Sequence, residues 1–85
     1  MKILYSQRFL KSYKKLPLYI RQKADKQIKH LLMDLHYPSL RSKKMEGKNL
    51  WEARVDRSYR FTFEKSEDTI ILRTVGPHDE GLGKK

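Results

Sequence analysis

The sequence predicts an α+β fold in which a helical hairpin packs on one face of a curved, mainly antiparallel β-sheet. Two periodicities support this prediction. Between residues 50 and 64, apolar and polar side chains alternate, as in strands with one buried face. Between residues 6 and 35, apolar side chains recur every three or four positions, as in helices with one buried stripe. A short strand before the helices and a third strand after the alternating region give the order β-α-α-β-β-β.

The helical hairpin has recognisable boundaries. Lys2–Tyr5 is predicted to be a short strand, and Ser6 can cap the first helix by accepting a hydrogen bond from a backbone N–H of the first turn. Pro17 is tolerated in the first turn of a helix but not deep inside one, so we expect one helix to end there and a second to begin. The apolar stripe of the first helix is Phe9, Tyr13 and Leu16, and that of the second is Ile20, Ala24, Ile28, Leu31 and Leu35.

Three strands are predicted to form a meander from the runs Leu50–Asp56, Tyr59–Glu64 and Thr69–Glu80. In the first two runs, the side chains expected to face the core are Trp51, Ala53, Val55, Tyr59, Phe61 and Phe63. Those expected on the opposite face are Glu52, Arg54, Arg60 and Thr62, which Arg73 and His78 of the third run can join. The helices cover only one face of the sheet, so the polar face stays open and, because sheets twist, concave. Its guanidinium groups suggest a site for a polyanion.

The bulk composition limits the class of protein. The 85 residues are expected to form one domain over residues 1–80, followed by a flexible basic tail at residues 81–85. There is no cysteine, which excludes disulfides and thiolate-ligated zinc. The apolar runs are too short to cross a membrane or to act as a secretory signal, so a cytoplasmic protein is expected. His30 and His36 are six positions apart without an acidic cluster, which predicts no metal site.

Positive charge is concentrated in the first part of the chain. The net charge is +10, and residues 1–49 hold 13 basic and 3 acidic side chains whereas residues 50–85 hold seven of each. This asymmetry favours an acidic partner, either nucleic acid or an acidic protein segment, over the alternative of a merely soluble basic surface. Within the irregular segment His36–Asn49, we expect Arg41, Lys43 and Lys44 to position phosphates. Tyr37 of the same segment is a candidate to stack on a base.

Several short motifs resemble those of a known family. They are Phe9-x3-Tyr13-x2-Leu16-Pro17, Pro38-Ser-Leu-Arg-Ser-Lys-Lys-Met-x-Gly47, Trp51-Glu-x-Arg-Val55, Tyr59-Arg-Phe61 and Val75-Gly-x-His-Asp-Glu80. In this order and spacing, from about Ile3 to Glu80, the chain resembles the RelE/ParE toxin superfamily and most closely its RelE-like, mRNA-interferase branch.

The resemblance implies a RelE-like fold and the cleavage of mRNA in the ribosomal A site without a metal ion or other cofactor. It also implies neutralisation by a cognate acidic antitoxin. The site residues that it implies are Arg60, His78 and, approximately, Lys43 and Lys44. Two alternatives stay open. The other branch of the superfamily poisons DNA gyrase, and a non-catalytic relative that binds RNA or protein would fit the lack of the terminal aromatic residue that some ribonuclease members carry.

Cleaving RNA without a metal ion requires a base, an acid and a cation beside the phosphate. Arg60 is the predicted cation, because guanidinium binds phosphate through two hydrogen bonds and stays charged; alternatively it pairs with Glu52 or Glu64 across the strands. His78 titrates near neutrality and is the predicted acid or base, with an exposed turn histidine as the alternative. Glu52 is its predicted partner, and Arg54 either keeps that carboxylate ionised or contacts phosphate.

Overall fold

The structure is a computed structural model that describes residues 1–77. Within these residues two α-helices and five strands follow one another along the chain. They are β1 (Lys2–Tyr5), α1 (Gln7–Lys14), α2 (Leu18–Met33), β2 (Lys43–Lys44), β3 (Trp51–Arg54), β4 (Tyr59–Ser66) and β5 (Thr69–Pro77). A single 3₁₀ turn, Pro38–Leu40, lies between α2 and β2. The predicted α+β fold is confirmed, and its order is the predicted β-α-α-β-β-β with one additional two-residue strand, β2.

The strands form one mixed sheet in the order β1-β5-β4-β3-β2. β3, β4 and β5 make the predicted antiparallel meander, and β1 pairs with β5 in parallel. β2 was not predicted from the sequence, because two lysines inside an irregular segment show no periodicity. β2 pairs antiparallel with β3, so that Lys43 lies opposite Glu52 and Lys44 opposite Trp51.

The first helix begins as predicted. The Ser6 Oγ accepts a hydrogen bond from the Phe9 backbone N–H at 3.0 Å, which satisfies one donor of the first helical turn. The Ser6 hydroxyl also donates to the Arg73 carbonyl at 3.2 Å, so the same side chain joins α1 to β5. α1 ends before Pro17, whose carbonyl accepts the N–H groups of Ile20 and Arg21 at the start of α2.

The prediction that Leu35 continues the apolar stripe of α2 is wrong. The helix ends at Met33, and Asp34 adopts an extended conformation. The Asp34 carboxylate accepts the His36 backbone N–H at 2.9 Å, a local turn that competes with another helical turn. Leu35 nevertheless packs, half buried, against the core.

The core lies between the helices and one face of the sheet. It is formed mainly by α2, by the predicted inward positions of β3 and β4, and by alternate residues of β5. Its fully buried large side chains are Phe9, Ile20, Leu31, Leu40, Phe61, Phe63, Ile70 and Leu72. Leu40 anchors the segment after α2 to this core. Neither helix in residues 1–77 combines the length and the apolar character needed to cross a bilayer.

Candidate functional site

The face of the sheet turned away from the helices carries two adjacent rows of side chains in register. Ala53, Phe61 and Phe63 are buried in the core, and the residues that alternate with them therefore lie on the opposite face. The first row across the strands is Lys43, Glu52, Thr62 and Thr74, and the second is Arg54, Arg60 and Gly76. The structure therefore brings Glu52, Arg54 and Arg60 together on the open face, with Lys43 at its edge.

A β-bulge places Arg73 on the same face. The partner of Thr62 is Thr74 and the partner of Phe63 is Leu72, so Arg73 is the extra residue on β5. The hydroxyls of Thr62 and Thr74 are hydrogen-bonded at 2.7 Å. The Arg73 guanidinium forms an ion pair with the Glu64 carboxylate, so this predicted phosphate ligand already has an anionic partner.

Arg54 and Arg60 face each other directly across β3 and β4. Like charges in this position repel unless an anion or a hydrogen-bond acceptor compensates them. The Arg60 Nη1 donates to the carbonyls of Asp56 at 3.0 Å and Tyr59 at 3.2 Å. Within residues 1–77, Arg60 forms no ion pair with Glu52 or Glu64, so the structural alternative considered for Arg60 is not observed.

The environment of Arg54 is strongly electropositive. Its Nε is buried and has no hydrogen-bond partner among the described residues. Loss of solvation lowers the pKa of the Arg54 guanidinium, and the positive charges of Arg41, Arg60 and Arg57 lower it further. A guanidinium stays protonated at neutral pH, so the cluster retains its charge and favours a bound anion.

The neighbouring lysines do not act as a pair. Successive residues of a strand point to opposite faces, and the register places Lys43 beside Glu52 but Lys44 beside Trp51. Both lysine side chains are exposed. Of the two predicted phosphate ligands, only Lys43 is therefore in the row that contains Glu52.

His78 lies outside the residues that the structure describes. The last described position, Pro77, pairs with Tyr59 at the end of β4 that also carries Arg60. The catalytic role of His78 thus stays a prediction.

A cleft of about 820 Å³ opens beside Arg54, between α2, the 3₁₀ turn and the turn that joins β3 to β4. We call it the α2 cleft. Its charged lining is Lys23, Lys26, Arg41, Arg54, Asp56 and Arg57. Arg41 is held there in a left-handed backbone conformation, with φ 48°, which is rare for a side chain of this size. Arg41 and Arg54 were predicted from the sequence as phosphate ligands, but the contribution of α2 was not predicted.

A buried glutamine joins the three walls of the α2 cleft. Gln27 is 7% exposed, and its Nε2 donates to the carbonyls of Arg54 at 2.8 Å and Ser39 at 3.1 Å. Its Oε1 accepts the Ser39 hydroxyl at 3.1 Å and lies 2.9 Å from the His30 Nδ1. The available signal in the sequence was a polar residue between Ala24 and Leu31, on the apolar stripe of α2.

The carboxylate of Asp56 has its own partners. Burial alone would raise the pKa of this group, but the backbone N–H groups of Ser58 and Tyr59 and the ammonium of Lys23 outweigh burial and lower it. Lys23 Nζ lies 3.4 Å from the Asp56 carboxylate. Among the described residues that line the cleft, Asp56 is the single acid, and it is thus already hydrogen-bonded.

The family model described as "ParE toxin of type II toxin-antitoxin system, parDE" matches residues 3–81. The match spans nearly the whole chain, so the protein belongs to this family of type II toxin–antitoxin toxins. Sequence comparison with curated proteins gave no match.

Solved structures share the fold. A chain of the RelB–RelE antitoxin–toxin complex from Methanococcus jannaschii is 29% identical, with a TM-score of 0.76 over 91% of this chain and 92% of that one. The YoeB/ParE toxin from Agrobacterium tumefaciens is 14% identical, with a TM-score of 0.77 over 92% and 99% of the two chains. The intact E. coli RelBE complex contains a chain 19% identical, with a TM-score of 0.72 over 88% and 93%. The predicted RelE/ParE superfamily and RelE-like fold are confirmed.

Proposed function

We propose that this toxin is a ribosome-dependent endoribonuclease that cleaves mRNA in the A site without a metal ion, and that a cognate acidic antitoxin neutralises it. The observation that carries the proposal is the open polar face on which Arg54 and Arg60 lie opposite each other, with Glu52 in the adjacent row. A pair of guanidiniums is well suited to bind a phosphate. The carboxylate of Glu52 in the adjacent row adds a group that can accept a proton.

The proposed reaction is an internal transesterification. Glu52 takes the proton of the ribose 2′-OH, and the 2′-oxygen attacks the adjacent phosphorus. The bond from phosphorus to the 5′-oxygen breaks, and His78 gives that oxygen a proton. The products are a 2′,3′-cyclic phosphate and a 5′-hydroxyl. Arg60, supported by Arg54, stabilises the charge that builds on the phosphate oxygens, a contribution that often exceeds proton transfer itself.

Other basic groups would position the RNA rather than react with it. Lys43 lies at the edge of the Glu52 row, and Arg41 lies close enough to Arg54 to lower the pKa of its guanidinium. Lys44 would contact the RNA backbone from the opposite face of β2. Arg73 would have to exchange its Glu64 partner for a phosphate, so we assign it the weakest role. The net charge of +10 supports the acidic antitoxin and the RNA substrate alike.

The proposal is tested with ribosomes programmed with a defined mRNA, with cleavage followed by primer extension under single-turnover conditions. Arg60→Ala is expected to reduce the rate by about 100-fold or more, in the range found when one group that stabilises transition-state charge is removed. Arg8→Ala is the matched control, because Arg8 is an exposed arginine of α1 that loses the same charge. Equal rates for the two variants would contradict the assignment.

The carboxylate has its own pair of variants. Glu52→Gln keeps the shape of the side chain but removes the base, and a loss of about 100-fold or more is expected. Glu46→Gln changes an exposed glutamate of the segment between α2 and β3 and should leave the rate unchanged. His78→Gln tests the acid in the same assay.

A second candidate is a poison of DNA gyrase, which the description of the matched family as ParE favours. This activity needs no proton-transfer groups on the sheet. Expression that leaves mRNA intact while it induces DNA breaks would support the gyrase poison and exclude the ribonuclease.

A further inference from the structure

We propose that the α2 cleft binds one nucleotide of the RNA strand, next to the phosphate held by Arg54 and Arg60. In this subsite Lys26 and Arg57 bind the phosphate of that nucleotide, and its base stacks on the ring pair formed by His30 and Tyr37. The inference rests on the proposed ribonuclease function and deepens it, since it gives the substrate a second point of attachment.

The charge of the cleft favours an anion. Of its five cationic side chains only Lys23 is paired within residues 1–77, with Asp56 at 3.4 Å. The other four have no acidic partner there. They are Lys26, Arg41, Arg54 and Arg57. The buried Nε of Arg54 is a further donor without an acceptor among the described residues. The charge of the Arg54 guanidinium is therefore not compensated by an acceptor at this nitrogen, and phosphate is a strong partner for a guanidinium.

The cleft also contains an ordered aromatic surface. The rings of His30 and Tyr37 are stacked, with centroids 3.9 Å apart and planes 8° apart. Because the Gln27 Nε2 donates to two carbonyls, its Oε1 is the acceptor that faces the His30 Nδ1, so this nitrogen carries the proton. The imidazole is thereby fixed in orientation. A base that extends this stack meets rings that are already ordered, which lowers the entropic cost of binding.

Size and position suit one unit of a longer strand. The volume of about 820 Å³ is within the range of sites that take a small ligand. Arg54 lies on the polar sheet face and also lines the cleft, so the two surfaces are continuous. The chemical group that the cleft would recognise is a nucleoside phosphate, which either RNA or a free nucleotide can supply. The shared Arg54 favours RNA, because a strand can run from the scissile phosphate into the cleft.

The test measures the binding of a fluorescent decanucleotide with 2′-O-methyl riboses, which cannot undergo attack by a 2′-OH. Anisotropy titrations are made from 50 to 200 mM salt with Lys26→Gln and with Lys29→Gln. Both lysines are exposed on α2 and both changes remove one charge, but only Lys26 lines the cleft. Lys26→Gln is expected to weaken binding several-fold and to reduce the slope of log K against log salt by about 0.7, the value for one phosphate contact to a single strand. Lys29→Gln should leave that slope unchanged.

The base contact has a second matched pair. Tyr37→Leu is expected to weaken binding roughly five-fold or more without changing the salt slope, because stacking is not an ionic contact. Tyr37→Phe should bind like the wild type, and so should Tyr19→Leu, which removes an exposed tyrosine of α2 outside the cleft. If Tyr37→Leu fails to fold, the lysine pair alone decides, since the Lys26 side chain is exposed.

The inference is overturned if Lys26→Gln behaves like Lys29→Gln, or if the wild type does not bind the oligonucleotide at 50 mM salt. It is also overturned if guanosine or adenosine monophosphate binds as tightly as the oligonucleotide and depends equally on Lys26, which would make a free nucleotide the ligand. Failure of the ribonuclease proposal is a separate result, in which the wild type leaves mRNA on the ribosome uncut. If the wild type cleaves mRNA but Lys26→Gln and Lys29→Gln bind the oligonucleotide equally well, the proposed subsite is refuted and the ribonuclease proposal is not.

Discussion

Replacing Gln27 by methionine tests whether the buried carboxamide holds the wall of the cleft in place. Methionine has nearly the same length and prefers helices, but it donates no hydrogen bond. The change removes four hydrogen bonds, with distances of 2.8, 2.9, 3.1 and 3.1 Å. Each is worth about 0.5–1.5 kcal/mol net.

The expected loss is smaller than the full sum, because a buried methionine gains apolar contact. We expect Gln27→Met to lower the free energy of unfolding by about 2–4 kcal/mol. For a domain of this size, a loss of 1 kcal/mol lowers Tm by about 4–8 °C, so Tm is expected to fall by about 8–32 °C.

The assay is thermal and urea unfolding followed by circular dichroism. The control is Gln22→Met, which changes an exposed glutamine of the same helix and should stay within about 0.5 kcal/mol of the wild type. A difference between the two variants of less than about 0.5 kcal/mol would refute the reasoning, since it would mean that the carbonyls of Arg54 and Ser39 find other partners at no cost.

Three further outcomes follow from the same structure. Ser6→Ala is expected to cost about 1 kcal/mol in urea unfolding, because Phe9 loses its capping acceptor, and an unchanged midpoint would contradict the cap. Leu40→Ala is expected to cost about 2–5 kcal/mol, because a fully buried side chain is truncated, and a loss below 1 kcal/mol would mean that Leu40 does not anchor its segment. Asp56→Asn is expected to cost up to about 1 kcal/mol at pH 7, because the hydrogen bonds from the Ser58 and Tyr59 backbone N–H groups lose a charged acceptor and Lys23 loses its ion-pair partner. The folded pKa of Asp56 is lowered from 3.8, so its stabilisation is present above that value and disappears as pH falls through the folded pKa; a difference from Asp56→Asn that does not change with pH would contradict this.

Much of the fold could be predicted because its signals are local. The alternation around Phe61 and Phe63 determines which face of the sheet is buried, and Ser6 and Pro17 mark helix boundaries through their own chemistry. The end of α2 was predicted two residues too late, because Leu35 fits the helical spacing. Instead, the Asp34 carboxylate accepts a hydrogen bond from the His36 backbone N–H just after the helix, which an apolar pattern does not record.

The candidate site could be predicted only where a strand carries it. Glu52, Arg54 and Arg60 follow the period of two, and their common face is observed. The position and the ion pair of Arg73 could not be predicted, because the β-bulge and the Glu64 partner both depend on how β4 and β5 pair. The contribution of α2 to the cleft depends on long-range packing through Gln27, and charge spacing along the helix gives no indication of it.

The most direct test of the central claim compares wild type, Arg60→Ala and Arg8→Ala by primer extension on ribosome-bound mRNA, with a DNA-break assay on the same cells. We expect new mRNA 5′ ends at the A-site codon for wild type and Arg8→Ala, their loss in Arg60→Ala, and intact DNA throughout. Intact mRNA in the wild type, or cleavage that survives in Arg60→Ala, would contradict this claim.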